Sequence, residues 1–203
     1  MNKNRLEAFS DGVLAIIITI MILEIKVPED SSFESLKPLI PIFLSYVLSF
    51  VYVGIYWNNH YHMFQAIKKV NGSILWCNLI LLFWLSLIPF GTSWIGSQNF
   101  ATIPTCVYGF ILLMNAIFYY SLQNIIIKYE GKDSVLAKAV EKDIKGKLSL
   151  LCYILAIPLA FISPWISGLL YITLALIWII PDQRIEKQIN KNKNEKSHIS
   201  WVI

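Results

Sequence analysis

Residues 5–27 read RLEAFSDGVLAIIITIMILEIKV, an apolar run that carries a serine and an aspartate, Ser10 and Asp11, near its start. As a helix rising about 1.5 Å per residue the run reaches about 34 Å, against a bilayer core of about 30 Å. In lipid every backbone polar group must be satisfied within the segment, which leaves the helix as the form such a run takes. Further apolar runs over 38–66, 73–95, 104–127, 147–163 and 166–180 predict six transmembrane helices in an all-α membrane protein. Charged residues make up 15% of the chain and mean hydropathy is +0.58, whereas a soluble domain carries about a quarter charged residues. Soluble globular classes are thereby excluded. The first run ends in charged EIK without a small-residue cleavage site, so it reads as a span and not as a signal peptide.

The basic residues orient the six spans. Of 17 lysines and arginines, all but Lys26 and Lys37 fall on the side of the amino terminus, which the positive-inside rule makes cytoplasmic. Both termini are then cytoplasmic, with residues 1–181 as a six-helix membrane domain and 182–203 as a basic tail. The net charge of +4 is spent on this asymmetry and gives no reason to expect a nucleic-acid partner. The outer loop after the first span holds Glu24, Glu29, Asp30 and Glu34 against Lys26 and Lys37, a modest cation-attracting excess. The one hydrophilic internal stretch, 128–147, is broken by Gly131. From Ser134 it reads as a short amphipathic helix with Val135, Ala139 and Val140 at the wet boundary, a solvated connector in preference to a lipid-surface or partner-binding element.

An ionisable group within a span is costly unless paired or wetted. At about 100° per residue, Phe9, Gly12, Ile16, Ile20, Leu23 and Val27 form one stripe, while Ser10 and Asp11 point about 120° and 140° away from it on either side. One face is thus free to line something while the other anchors the helix. An Ile and Leu stripe also fits contact with lipid or other helices, and periodicity alone does not choose between these.

The pattern Arg5-x-x-x-Phe9-Ser10-Asp11, continued by Gly12 and closed by Leu23-Glu24-Ile25-Lys26-Val27-Pro28, resembles the signature of the transmembrane protein 175 family. These are the endosomal and lysosomal potassium channels of animals, with shorter bacterial relatives. A second matching stretch is Tyr56-Trp57-Asn58-Asn59-His60 at the end of the second span, and the six-helix layout fits to about residue 181. The resemblance implies a potassium-selective cation channel in a bacterial plasma membrane, assembled as a homotetramer around helix 1. It puts Ile16 at the main constriction, with Ile20 and Leu23 above it; the helical wheel adds Thr19, whose hydroxyl lies on the shoulder of the stripe. It also implies an inter-helix network of Arg5, Ser10, Asp11 and His60, with Trp57 as a further member and Phe9 beside it, that sets the tilt of helix 1. Arg5 falls near the stripe, so it faces either this network or the inner vestibule.

No TVGYG filter is present, so potassium preference has to come from dehydration in an aliphatic sleeve, potassium shedding water at lower cost than sodium. Potassium is then the permeant ion, and no cofactor is expected. Ser10, Asp11 and His60 nominally supply a hydrolytic triad, but Ser10 and Asp11 diverge by about 100° and no G-x-S-x-G elbow exists. His60 and His62 sit on different helix faces, His198 lies in the tail, and Cys77, Cys106 and Cys152 are scattered through apolar runs, so no metal cluster or disulfide framework is predicted. The remaining alternative is a proton-coupled transporter with a buried Asp11–His60 relay, against which stand the lack of inverted repeats and paired broken helices.

Overall fold

The computed structural model describes residues 3–179 other than 29, 68, 141 and 142. Among the described residues it is helical throughout, without strands. In chain order the α-helices are α1 (Lys3–Leu23), α2 (Ile40–Gln65), α3 (Gly72–Ser86), α4 (Ile88–Ser97), α5 (Thr102–Glu130), α6 (Val135–Val140), α7 (Ile144–Leu159) and α8 (Pro164–Ile179), with a 3₁₀ turn over Glu34–Leu39 leading into α2. The tail 182–203, including His198, lies outside the described residues.

Local chemistry sets most boundaries. α1 stops at Leu23, four residues short of the predicted end, because Pro28 pushes its predecessor out of the helical region and the last turn tightens through Ile25 N–H to Ile22 O at 3.2 Å. Val27 therefore leaves the stripe. The single helix predicted over 73–95 is two helices: Pro89 has no N–H to give and its ring crowds the carbonyl four residues back, so the chain breaks at Leu87 and restarts as α4. Asn71 caps α3 by accepting from Ile74 N–H at 2.9 Å, and Asp143 caps α7 by accepting from Gly146 N–H at 3.1 Å. α5 runs on to Glu130, where Gly131 at φ +97° turns the chain.

Four stretches are long and apolar enough to cross a bilayer: Lys3–Leu23, Glu34–Gln65, Gly72–Ser97 and Thr102–Glu130. α8 is apolar but has 16 residues, and α7, also 16 residues, carries Lys145 and Lys147 in its first turn. Helices in lipid attract each other mainly by close packing, which small residues permit. α4 lies against α2 at Gly96, where an added Cβ would meet the Ser45 hydroxyl and stand 2.8 Å from Ile42 Cα. α5 lies against α8 at Gly109, whose missing side chain leaves room for the Tyr171 hydroxyl.

Two buried clusters result. One joins α1, α2, α3, α5 and α6 through Leu6, Phe64, Ile74, Leu81 and Ile126, and the other joins α2, α5, α7 and α8 through Tyr52, Tyr108, Tyr153 and Tyr171. The connector reading of 128–147 needs correcting: α6 buries Leu136 and Ala139 in the first cluster, so this short helix plugs the end of the bundle. Leu136 lies one turn before Val140 on a helix too short for periodicity to show which face is covered.

Candidate pore-lining face and its polar anchors

α1 divides into two faces. Leu6, Ser10, Leu14, Ile17 and Met21 are buried against α2, α3 and α4, whereas Phe9, Ile16, Thr19, Ile20 and Leu23 are exposed on the single chain. The division is sharp at neighbouring isoleucines: Ile16 is 58% exposed and Ile17 2%. The Thr19 hydroxyl donates to Ile16 O at 2.8 Å, so its proton is used within the helix and its lone pairs remain available.

The polar residues of the motif hold the covered face. Ser10, fully buried, donates to Leu6 O at 2.9 Å and accepts from Asn78 Nδ2 at 3.0 Å. Asn78 Oδ1 in turn lies 2.7 Å from His60 Nε2, and the His60 ring stacks on Phe64 with centroids 4.2 Å apart. A continuous polar link thus runs from α1 through α3 to α2. Buried polar groups cost several kcal/mol in a hydrocarbon environment when unpaired, roughly 2–7 kcal/mol by transfer, so each member holds the next in place.

Asp11 is not in this link. It sits one residue, hence about 100°, beyond Ser10, and at the exposed edge of α1 it accepts from Trp57 Nε1 at 3.1 Å. Arg5 is exposed and joins neither group among the described residues. The single network expected of Arg5, Ser10, Asp11, Trp57 and His60 is therefore two: Ser10–Asn78–His60 inside, and Asp11–Trp57 at the surface. Phe9 accompanies the exposed stripe. Asn78 was not singled out from the sequence, although a lone asparagine within ILWCNLILLFW is the kind of polar residue that a membrane helix retains only for a partner. Its carboxamide stands between Ser10 and His60, which breaks the nominal triad geometry.

A second buried ladder braces the other end of the bundle. The Tyr108 hydroxyl lies 2.9 Å from Ser49 Oγ, which lies 2.6 Å from Thr92 Oγ1, linking α5, α2 and α4. Thr92 Oγ1 is also 3.8 Å from Met21 Sδ on α1, and just beyond the end of α1 Glu24 accepts from Ser93 of α4 at 3.0 Å. The covered face of α1 is thus gripped near both ends, which fixes which face is turned outward.

Comparison with known proteins places this geometry in context. Residues 5–89 match the family model described as endosomal/lysosomal potassium channel TMEM175. A potassium channel of Chryseobacterium sp. (strain P1-3) is 58% identical, covering 95% of this chain and 100% of that one. The crystal structure of a lysosomal potassium-selective channel TMEM175 homolog from Chamaesiphon minutus superposes with a TM-score of 0.77 at 31% identity, over 89% of this chain and 97% of that one. The zebrafish (Danio rerio) endosomal/lysosomal proton channel TMEM175 is 29% identical over 63% of this chain and 25% of its own length.

Proposed function

The chain belongs to the TMEM175 family, and from that premise we propose that it is the subunit of a potassium-selective cation channel in a bacterial plasma membrane. It is an integral, multi-pass membrane protein. One subunit has one α1, and one helix encloses nothing, so the pore is formed by four copies around a symmetry axis. Six spans, with α3 and α4 as one broken span and α7 and α8 as a short hairpin, leave both termini cytoplasmic, in line with the distribution of lysines and arginines.

The observation that carries this reading is the outward stripe on α1: large aliphatic side chains exposed on one face while the opposite face is held by buried polar links. Four-fold rings of Ile16, Ile20 and Leu23 make a sleeve in which an ion sheds water. The penalty is smaller for potassium than for sodium, and narrowing of the rings closes the path by dewetting. Thr19 supplies oxygen beside the sleeve. Ser10, His60 and Asn78 set the rotation of α1 without touching the ion.

Purified protein in liposomes, with reversal potentials measured in mixed potassium and sodium and the assembly state measured by native mass spectrometry, tests this directly. Passive potassium current from a tetramer is the expected result. Absence of current, or a species no larger than a dimer, removes the enclosed axis. The proton channels among animal relatives keep proton movement in view as a second reading, formulated as a proton-coupled transporter using Asp11 and His60. In this arrangement Asp11 bonds Trp57 and His60 bonds Asn78, so a relay between them requires both bonds to open. Potassium flux that occurs only with a proton gradient would favour that reading.

A further inference from the structure

The two flanks of α1 carry unlike surfaces. On one flank Phe43, Phe50 and Trp57 recur every seven residues along α2, two turns apart, and each is about half exposed on the single chain. Tyr46 bridges the first two, its ring centroid 6.3 Å from that of Phe43 and 6.1 Å from that of Phe50, so the first half of α2 carries a continuous aromatic ridge. The Trp57 indole, bonded to Asp11, fixes the line of this ridge beside α1. On the other flank α1 and α4 part to leave an open recess of about 610 Å³, walled by Ile20, Phe90, Trp94 and Ser97. Glu24 also lines it, its carboxylate held by Ser93 at 3.0 Å. Asp11 and Ile20 are nine residues apart, hence about half a turn around α1, so ridge and recess lie on opposite sides of it.

Ridge and recess also share a depth. Thr92 of α4 accepts from Ser45 Oγ through its carbonyl at 3.1 Å and reaches Ser49 Oγ through its hydroxyl at 2.6 Å, while Gly96 stands against Ile42. Phe43, Tyr46 and Phe50 are therefore level with the stretch from Phe90 to Ser97. Rotation about an axis along the membrane normal preserves depth, so what one copy presents at that level meets the next copy at the same level. A ring of more than two copies joins unlike flanks of successive subunits, head to tail. Between helices in lipid the attraction comes from close packing, and rigid aromatic side chains set into a recess supply much of it.

We infer that the Phe43–Tyr46–Phe50 ridge of one subunit seats in the α1–α4 recess of the next, so that each pore helix is buttressed by two subunits. The inference rests on the proposed tetramer around α1 and names the surfaces that close it.

The test is Phe43→Cys combined with Ser97→Cys in the full-length protein in phosphatidylglycerol nanodiscs, treated with bismaleimidoethane and run on denaturing gels. Native mass spectrometry of the untreated sample gives the assembly state independently. Dimer, trimer and tetramer bands are expected from the double variant. They should be lost in either single variant, which controls for Cys77, Cys106 and Cys152, and in Phe43→Cys with Trp165→Cys, whose second site is exposed on α8. A tetramer by mass spectrometry with no ladder in the double variant overturns the pairing, gives the recess to lipid chains and leaves the tetramer standing. A ladder that stops at dimer, or an equal ladder with Trp165→Cys, overturns the pairing as well. A monomer in the untreated sample removes both the pairing and the tetramer.

Discussion

Asn78→Ala probes the link that sets the rotation of α1. Asn78 is fully buried and makes two side-chain contacts, at 3.0 Å to Ser10 Oγ and 2.7 Å to His60 Nε2. Ser10 retains its bond to Leu6 O, so its loss is that of one membrane hydrogen bond, about 0.6 kcal/mol on average. His60 is 3% exposed and keeps no partner at Nε2, a penalty of about 1–3 kcal/mol. The expected destabilisation is therefore about 2–4 kcal/mol per chain. Most of it is the cost of an orphaned group, so it should be recoverable: His60→Phe in the Asn78→Ala background removes the orphan and preserves the ring stacked on Phe64. The double variant should be more stable than the sum of the two singles predicts by about 1–2 kcal/mol. Unfolding by sodium dodecyl sulfate in mixed micelles, followed by circular dichroism, measures each corner of the cycle. Strict additivity, or a single Asn78→Ala effect under about 0.5 kcal/mol, would refute the claim that this link holds α1.

Three further perturbations bear on the faces of α1 and the packing behind it. Ile16→Asn should preserve folding and lower the preference for potassium over sodium in reversal-potential measurements, whereas Ile17→Asn, buried at 2% exposure, should cost about 2–5 kcal/mol of stability; equal selectivity loss at both positions would remove the stripe from the pore. Asp11→Ala deprives the Trp57 indole of its acceptor and should alter open probability in single-channel records with little change in ion preference, while Asp11→Asn, which keeps an acceptor, should behave closer to the parent. Gly109→Ala drives a methyl group into the Tyr171 hydroxyl, itself bound to Thr105 O at 3.2 Å, and should lower the thermal midpoint of the detergent-solubilised protein by an amount equivalent to about 1–3 kcal/mol; Tyr171→Phe in the same chain should restore part of it by removing the obstructing oxygen.

Much of the architecture was legible because lipid leaves a sequence few choices. The long apolar runs forced helices, and Ser10 and Asp11 stood out against Ile and Leu as groups that needed partners. What could not be read was which partner. A wheel gives direction around one helix and nothing about its neighbours, so Ser10 and Asp11 were assigned to a single network although their 100° divergence carries one to Asn78 and the other to Trp57. Pro89 announced a disturbance but not its outcome, since a proline near a helix end is accommodated in some settings and breaks the helix in others. α6 shows the opposite limit: six residues span less than two turns, and the burial of Leu136 comes from the bundle end it covers, not from its own pattern.

The break at Leu87 has a mechanical consequence. α3 holds the start of α1 through Asn78, and α4 holds its far end through Thr92 near Met21 and through Ser93 on Glu24. Because Pro89 interrupts the rod between them, the two supports are articulated and not welded. The near end of α1 therefore rests on α3 and its far end on α4, two pieces of one broken span and not a single rigid rod. Restoring the missing backbone amide with Pro89→Ala would fuse the two into one stiff strut and make α1 tilt as a single piece.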